Sequence, residues 1–159
     1  MKDGVLIGID AGTSVIKSVT FTTAGEQIAM ASISNVYETF ADGGVEQDMA
    51  RTWRDTAQTL KQLSEKIPNL ASRLIAISVT GQGDGMWLID KDGEPVAPAW
   101  LWLDARGASI AEEFTRHSDY PAHYKRTGTG VNACQMSIHL AWMARHRPEV
   151  LVRATTAFH

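Results

Sequence analysis

The sequence is poor in cysteine and lacks any long apolar run. Cys134 is the single cysteine among 159 residues, which excludes an internal disulfide framework and is typical of a reducing compartment. No apolar stretch approaches the roughly 18 residues that a membrane-spanning helix needs, and the N-terminal residues contain no apolar signal-peptide segment. We therefore predict a soluble, cytoplasmic protein with no membrane partner.

Positive charge is also scarce. Lysine and arginine together number 15 against 18 acidic residues, a formal net charge of −3, and the chain has no basic cluster. Proteins that bind the backbone of nucleic acids carry basic patches, so we predict no nucleic-acid partner. None of the five histidines shows the spacing of a metal-binding pair. A chain of this length predicts about one domain with a sizeable core.

A phosphate loop of the Walker type is missing, but a different loop lies near the N-terminus. Two runs rich in β-branched residues, Val5–Ile9 and Val15–Phe21, predict strands, so Gly8–Lys17 is expected to form the bend of a hairpin. A Walker loop leads into a helix, whereas a predicted strand follows here. A tight turn with no ligand is an alternative explanation of this segment.

The residues of this bend have the chemistry of a polyphosphate site. Gly12 allows a close approach of the backbone, and the N–H and hydroxyl groups of Thr13 and Ser14 can donate to phosphate oxygens. Lys17 adds positive charge. Asp10 is suited to Mg²⁺, which usually takes one or two carboxylates and keeps several waters. The segment therefore predicts a loop that binds phosphate together with a metal ion.

The rest of the pattern predicts an α/β protein. The run Leu74–Val79 is nearly all apolar, as expected for a strand covered on both faces. An order of three strands, a helix and a strand excludes a doubly wound nucleotide-binding fold and favours a mixed sheet layered with helices. The other predicted elements are a strand over Gln27–Ile33, an irregular segment over 34–47, a helix from the N-cap Asp48 to Lys66 with apolar positions Trp53, Ala57, Leu60, Leu63 and Ile67, a hairpin of Met86–Ile89 with Pro95–Ala99, helices over Asp104–Phe114 and Gln135–Arg145, and a strand over Leu151–Phe158.

Three further segments accompany the phosphate loop along the chain. They are Gly44–Asp48 with Trp53, Thr80–Gly85, and Leu101–Arg106. Together with the loop they resemble the N-terminal region of the FGGY family of carbohydrate kinases. The resemblance implies a ribonuclease H-like (actin-like ATPase) fold, with residues 1–159 as the N-terminal part of the first of two such domains. A final predicted strand that stops at His159, with no element after it, likewise leads us to expect a truncated chain.

The resemblance implies ATP and Mg²⁺ as the ligands of the loop. Asp10 corresponds to the acid linked to the metal, and Lys17 to the basic residue that faces the transferred phosphoryl group. Gly12, Thr13 and Ser14 correspond to phosphate contacts. Phosphoryl transfer depends mainly on positioning and electrostatics, so this set of groups is the one such a reaction needs.

A second set of residues corresponds to the substrate contacts of the family: Gln82, Gly83, Asp84, Trp102, Asp104 and Cys134. Asp84 and Gln82 can bond hydroxyl groups, and Gly83 leaves room where relatives carry a side chain. Cys134 stands in place of a substrate tyrosine of glycerol kinase, which weakens a glycerol assignment. Alternatives remain for three members of the set, namely a solvated loop acid for Asp84, a core residue for Trp102 and a helix N-cap for Asp104.

The resemblance implies ATP-dependent transfer of a γ-phosphoryl group to a hydroxyl of a sugar or polyol. Gly81–Trp87 and Trp100–Asp104 resemble the erythritol and L-xylulose kinase branch, with xylulokinase- or glycerol kinase-like specificity as the alternative. A homodimer is compatible with the full-length enzyme. The catalytic aspartate and the adenosine site of the family are expected beyond residue 159, so we expect the chain alone to be inactive. A non-catalytic actin-like module that binds nucleotide or sugar is the alternative from another class.

Overall fold

The computed structural model describes residues 3–159, which contain nine strands and six helices. They fall into two compact units. The first comprises the chain up to Tyr37 together with Ala50–Gln82, and the second comprises Glu38–Met49 with Gly83–His159. In chain order the elements are β1 Val5–Ala11, β2 Val15–Thr22, β3 Gln27–Ser34, β4 Glu38–Thr39, β5 Val45–Gln47, α1 Met49–Lys66, α2 Leu70–Arg73, β6 Leu74–Gly81, β7 Trp87–Ile89, β8 Ala99–Trp100, α3 Ala108–Thr115, α4 Tyr120–Thr127, α5 Met136–His146, α6 Pro148–Leu151 and β9 Thr156–Phe158.

The first unit is built on a four-stranded mixed sheet in the order β3-β2-β1-β6. The three N-terminal strands are antiparallel neighbours, and β6 pairs in parallel with β1. A parallel pair needs a long crossover between its strands, and α1 with α2 supplies it here. The mixed sheet predicted from the sequence is thus present, and the first three strands and α1 have nearly the predicted bounds.

One face of this sheet forms the core with the helices. Val5, Ile7 and Ile9 alternate along β1 and pack with Leu63 and Ile67, because side chains separated by two residues in a strand share a face. Each such fully buried aliphatic side chain contributes about 1.5–3 kcal/mol relative to an exposed one. In the C-terminal half of α1, the 3–4 spacing of apolar residues thus correctly indicates the buried side of the helix.

The N-terminal half of α1 and the strand β6 differ from the sequence prediction. Trp53 is 76% exposed, although it continues the apolar spacing of the helix. Ile75, Ile77 and Val79 are exposed as well, so the prediction that this strand is covered on both faces is wrong for the described residues. The reason is topological, since β6 lies at the edge of its sheet and pairs only with β1 among the described strands. An apolar run shows which side chains favour burial, but it does not show what covers them.

The second unit combines two small sheets with helices α3 to α6. The sheets have the strand orders β4-β5-β8 and β7-β9, and the main apolar cluster consists of Met86, Leu88, Trp100, Met143 and Val150. The predicted hairpin of Met86–Ile89 with Pro95–Ala99 is present only as its turn and isolated bridges, because β7 pairs with β9 and β8 pairs with β5. In the turn, Asp90 accepts hydrogen bonds from the N–H groups of Glu94 and Asp92, and these bonds lower the pKa of its carboxyl group.

Three other predictions for this unit are wrong. The segment 34–47, expected to be irregular, contains β4 and β5. The helix expected from Asp104 begins at Ala108 with Gly107 as its N-cap. The predicted final strand over Leu151–Phe158 is reduced to Thr156–Phe158, because α6 continues to Leu151. In the first case strand pairing, including that of β5 with the distant β8, forms elements that the local pattern does not show, and in the other two the helix bounds differ from the predicted ones.

Three helices were not predicted at all, the short α2 and α6 and the polar α4. Helix α4 has no buried residue, so its sequence has no apolar face to reveal it. No helix within residues 3–159 is long and apolar enough to cross a membrane.

Gly107 allows us to test the packing of the start of α3 against α5 and the segment before it. A Cβ atom at this position would lie 2.5 Å from Cγ2 of Ile138 and 2.6 Å from the carbonyl oxygen of Ala133. We expect Gly107→Ala to lower the free energy of unfolding by about 1–3 kcal/mol through overpacking. Gly83→Ala is the matched control, since a Cβ there meets no atom within 4 Å. Denaturant unfolding measures both, and equal stability of the two variants would contradict this packing.

Candidate functional site

The predicted phosphate loop connects β1 to β2 in the first unit. The register pairs Asp10 with Lys17 across the two strands, and with Thr80 on β6. Paired residues project from the same side of a sheet, and Asp10 alternates with the buried Ile9, so the carboxylate, the ammonium group and the hydroxyl share the face opposite the core. An acid and a base are therefore placed side by side at the end of the strands.

The bend itself has little space for side chains. A Cβ atom at Gly12 would lie 2.8 Å from the carbonyl oxygen of Val15, so the backbone closes tightly only with glycine at this position. Ser14 is exposed and Thr13 is half-buried. The loop thus presents its hydroxyl groups while its backbone remains compact.

Asn35, which the sequence analysis did not single out, holds this loop in place. Its side-chain amide donates to the carbonyl oxygen of Gly12 (3.0 Å), and its own N–H donates to the carbonyl oxygen of Ser14 (2.8 Å). The residue is 6% exposed. No sequence pattern reveals it, because an asparagine after a strand is also typical of an ordinary turn.

The first sugar-binding candidate lies beside the phosphate loop. The hydroxyl of Thr13 donates to Oε1 of Gln82 at 3.1 Å, although the two residues are 69 positions apart in the chain. The contact arises because Thr13 follows β1, Gln82 follows β6, and these strands run in parallel. Residues predicted to bind two different ligands are therefore in direct contact.

The remaining five sugar-binding candidates lie in the second unit. Asp84 and Gly85 have consecutive positive φ angles of 59° and 89°, and a Cβ at Gly85 would lie 2.5 Å from the carbonyl oxygen of Trp100. Gly85 also donates its N–H to the carbonyl oxygen of Cys134 at 2.9 Å. Burial raises the pKa of the Cys134 thiol, and the negative charge of Asp84 raises it further. The acid and the thiol thus share one neighbourhood.

Space and exposure near this turn agree with a binding surface. Asp84 is exposed, and Gly83 has open space where a side chain would be. Trp102 is 47% exposed, so the alternative that it is a core residue is wrong, and the buried tryptophan of this segment is Trp100. Contact of these residues with a substrate stays a prediction.

Asp104 is in a different situation, because its carboxylate is fully buried in an ion-pair network. It accepts hydrogen bonds from the backbone N–H of Val45 (2.8 Å) and from the guanidinium of Arg106 (2.6 Å). Arg106 also donates to Glu46 (2.8 Å) and lies 3.5 Å from the ring centroid of Trp100. The alternative of an N-cap for Asp104 is wrong, since the helix begins four residues later.

The charges in this network support one another. Burial alone would lower the pKa of Arg106, but its hydrogen bonds to Asp104 and Glu46 outweigh burial and hold the pKa above its ordinary value. Removing one partner of such a buried pair costs about 3–5 kcal/mol, because the other charge stays buried without compensation. The network therefore fixes the segment that carries Trp102.

His139 on α5 lies next to this network and was also missed by the sequence analysis. It is fully buried, its Nε2 atom is 3.8 Å from Oδ1 of Asp104, and neither ring nitrogen has a hydrogen-bond partner within the described residues. Burial lowers its pKa, while the negative charge of Asp104 opposes that effect. Burial of the ring therefore favours the neutral imidazole.

The residues of the loop fit a magnesium ion better than a metal held entirely by protein. Residues 3–159 contain no group of three or more His, Cys, Asp and Glu side chains that could hold a metal. Mg²⁺ needs only one or two carboxylates, since waters and phosphate oxygens complete its shell. The half-buried Asp10, beside hydroxyl groups and Lys17, suits that mode of binding.

Comparison with known proteins identifies the class. Residues 5–158 match the N-terminal domain of the FGGY family of carbohydrate kinases. The xyloylose kinase from Brucella ovis superimposes with a TM-score of 0.90 at 25% identity, over 98% of this chain and 31% of that structure. The xylulose kinase from Rhodospirillum rubrum gives 0.88 at 26% identity, over 96% and 31%. The chain belongs to the FGGY family, and its predicted actin-like α/β fold is confirmed.

Among the curated relatives, the erythritol kinase of Brucella abortus is 48% identical over 158 residues, which is 99% of this chain and 30% of that protein. The xylulose kinase of Streptomyces rubiginosus is 30% identical over 154 residues, 96% of this chain and 31% of that protein. The chain thus spans about a third of the length of these relatives.

His139 gives this unit a measurable pH dependence. The imidazole of an unfolded chain has a pKa of about 6.5, and burial depresses the pKa in the folded state. Below that pH the unfolded chain binds a proton that the folded chain excludes, so the free energy of unfolding falls on acidification, by at most about 1.4 kcal/mol per pH unit. The contribution of the buried imidazole to the free energy of unfolding is fully present above pH 6.5.

We expect His139→Gln to flatten this slope below pH 6.5. The control is His117→Gln, because the side chain of His117 is 63% exposed. Urea unfolding across the pH range measures both variants. Identical slopes in wild type and His139→Gln would contradict a neutral buried imidazole.

Proposed function

We propose that this chain is the N-terminal part of an ATP-dependent carbohydrate kinase, which transfers the γ-phosphoryl group of ATP to a hydroxyl of a sugar or polyol. The observation that carries the proposal is the arrangement of the β1–β2 loop. There Asp10 and Lys17 face each other, and Thr13 reaches a predicted sugar-binding residue, Gln82. Phosphoryl transfer requires positioning and charge stabilisation more than covalent chemistry, and this loop supplies both. Membership of the FGGY family supports the same reaction.

Each residue of the loop has a distinct proposed task. Asp10 holds Mg²⁺, directly or through water, and when bound the ion neutralises charge on the phosphate oxygens. Lys17, on the same face, stabilises negative charge that develops on the transferred group. Gly12 lets the backbone approach the phosphates, while Thr13 and Ser14 donate hydrogen bonds to them.

Within the first unit, Gln82 is the proposed contact for a hydroxyl of the acceptor, and the second unit has its own proposed contacts. Asp84 accepts hydrogen bonds from substrate hydroxyls, Trp102 offers an apolar surface, and Cys134 borders the site. The open space above Gly83 accommodates the substrate. Asp104 is the exception, because its oxygens bond Val45 and Arg106. We assign it the task of positioning the segment that carries Trp102, in addition to any contact with substrate.

Erythritol or a similar small polyol is the proposed acceptor. The support is the 48% identity to an erythritol kinase along nearly the whole chain, against 30% to xylulose, autoinducer-2 and glycerol kinases. Because the chain spans 30% of that relative, we place the general base and the adenosine site outside residues 1–159. We further propose a cytoplasmic location, and a homodimer is compatible with the full-length enzyme.

A substrate panel tests the proposed reaction. The complete enzyme should phosphorylate erythritol with MgATP at a higher kcat/KM than glycerol, xylulose or L-xylulose, because a polar group of the site left unpaired by the wrong polyol costs about 1–3 kcal/mol. A coupled assay for ADP release measures each substrate. Strong turnover of glycerol with none of erythritol would refute the polyol assignment, and no turnover of any sugar or polyol would refute the kinase.

Two acid substitutions separate the proposed tasks of the loop and the turn. Asp10→Asn should lower kcat by about 100-fold or more, the loss expected when one group that stabilises developing charge is removed, with little change in polyol affinity. Asp84→Ala should raise the KM for the polyol at least as clearly as it lowers kcat. The control is Asp92→Asn, an exposed acid of the turn between β7 and β8. Loss of polyol binding in Asp10→Asn with intact ATP binding would contradict this division.

A further inference from the structure

The contact between Thr13 and Gln82 joins two sites that the proposed reaction uses for different ligands. The last register pair of β1 and β6 is Ala11 with Gly81. A Cβ at Gly81 would lie 3.4 Å from the carbonyl oxygen of Ala11, so the strand ends are closely apposed. Thr13 and Gln82 follow these ends, and the 3.1 Å hydrogen bond between their side chains connects the loop to the segment after β6.

The hydroxyl of Thr13 has a single proton. In this structure the proton is directed to Oε1 of Gln82. An ionised phosphate oxygen is an acceptor only, so a phosphate that bonds the Thr13 hydroxyl takes the same proton. Oε1 of Gln82 then loses this donor, and a polyol hydroxyl, which can donate, is a suitable replacement.

The backbone on both sides of Thr13 is held in place. Asn35 bonds the carbonyl oxygens of Gly12 and Ser14 at 3.0 and 2.8 Å, and it is almost fully buried. The loop is thereby restrained from following the phosphate as a whole. The response is confined to rotation of the Thr13 side chain and its hydroxyl, which costs little and reverses readily.

We propose that the Thr13–Gln82 hydrogen bond couples the two sites, so that a phosphate bound at the loop strengthens the binding of a polyol hydroxyl at Gln82. The inference rests on the proposed kinase function and deepens it. Binding free energies are reciprocal, so the polyol strengthens nucleotide binding by the same factor. The coupling favours the state in which both substrates are present over either substrate alone.

The test measures erythritol binding to the complete enzyme by calorimetry, with and without a saturating concentration of the non-hydrolysable nucleotide AMP-PNP and Mg²⁺. In wild type we expect the nucleotide to lower the Kd for erythritol by about 5- to 10-fold, the lower part of the usual range for coupled sites. Thr13→Val has no hydroxyl proton, so the factor should fall to about 1. Thr13→Ser retains the hydroxyl and should retain most of the factor.

Gln82→Met gives an independent second variant. It removes the acceptor and releases the Thr13 proton for phosphate, so the coupling should disappear while AMP-PNP binds without erythritol at least as tightly as to wild type. Thr13→Val should instead weaken AMP-PNP. Ser14→Ala is the control on the same loop, because it removes a phosphate donor that has no hydrogen bond to Gln82 and should leave the coupling factor unchanged.

The outcomes separate the coupling from the kinase function. Wild-type turnover of erythritol, combined with an unchanged coupling factor in Thr13→Val or Gln82→Met, would overturn the coupling alone. The absence of any coupling in an active wild-type enzyme would do the same. A wild-type enzyme that binds neither erythritol nor AMP-PNP would overturn the proposed function and the coupling with it.

Discussion

The candidate phosphate site depends on the parallel pairing of β1 with β6. This pairing runs from Val5 to Ala11 on one strand and ends opposite Gly81 on the other. Because parallel strands have their carboxyl ends on the same edge of a sheet, the residues that follow them become neighbours. Thr13 and Gln82 meet for this reason alone. The antiparallel partner β2 adds Lys17 beside Asp10. The acid, the base and the hydrogen-bonding groups are thus brought together because β1 pairs with β2 on one side and β6 on the other.

In the second unit, exposed polar groups are held on irregular backbone. The Arg106 network provides the support. It ties Asp104 to Glu46, which is 58 positions away in the chain and lies on β5, and its guanidinium stacks on the buried Trp100. Buried charges are costly unless they are paired and hydrogen-bonded. Because these hydrogen bonds are directional, the network constrains the geometry of the segment as well as its stability. The exposed Trp102 extends from this segment, which is fixed at both ends.

Local pattern predicts the bend between β1 and β2, and the register of these strands confirms the bend. Binding of phosphate and metal by Asp10, Gly12 and Lys17 stays a prediction. Residues whose importance is only spatial cannot be found from local pattern. Asn35 and His139 have no distinguishing neighbours in the chain, yet one anchors the loop and the other lies beside Asp104. Asp104 itself was assigned to the substrate or to a helix end, and its carboxylate is instead buried against Arg106.

By itself, the sequence determined the family, the strands and helices with strong periodicity, and the kinds of side chain that stand at the bend between β1 and β2, because each of these depends on residues close together in the chain. Only the tertiary structure decided that Gln82 joins Thr13, that Trp102 is exposed while Trp100 is buried, and that β6 lies at a sheet edge. These features depend on which strands pair and in which direction. Pairing between distant segments is selected by the packing of the whole unit, and no local pattern encodes it.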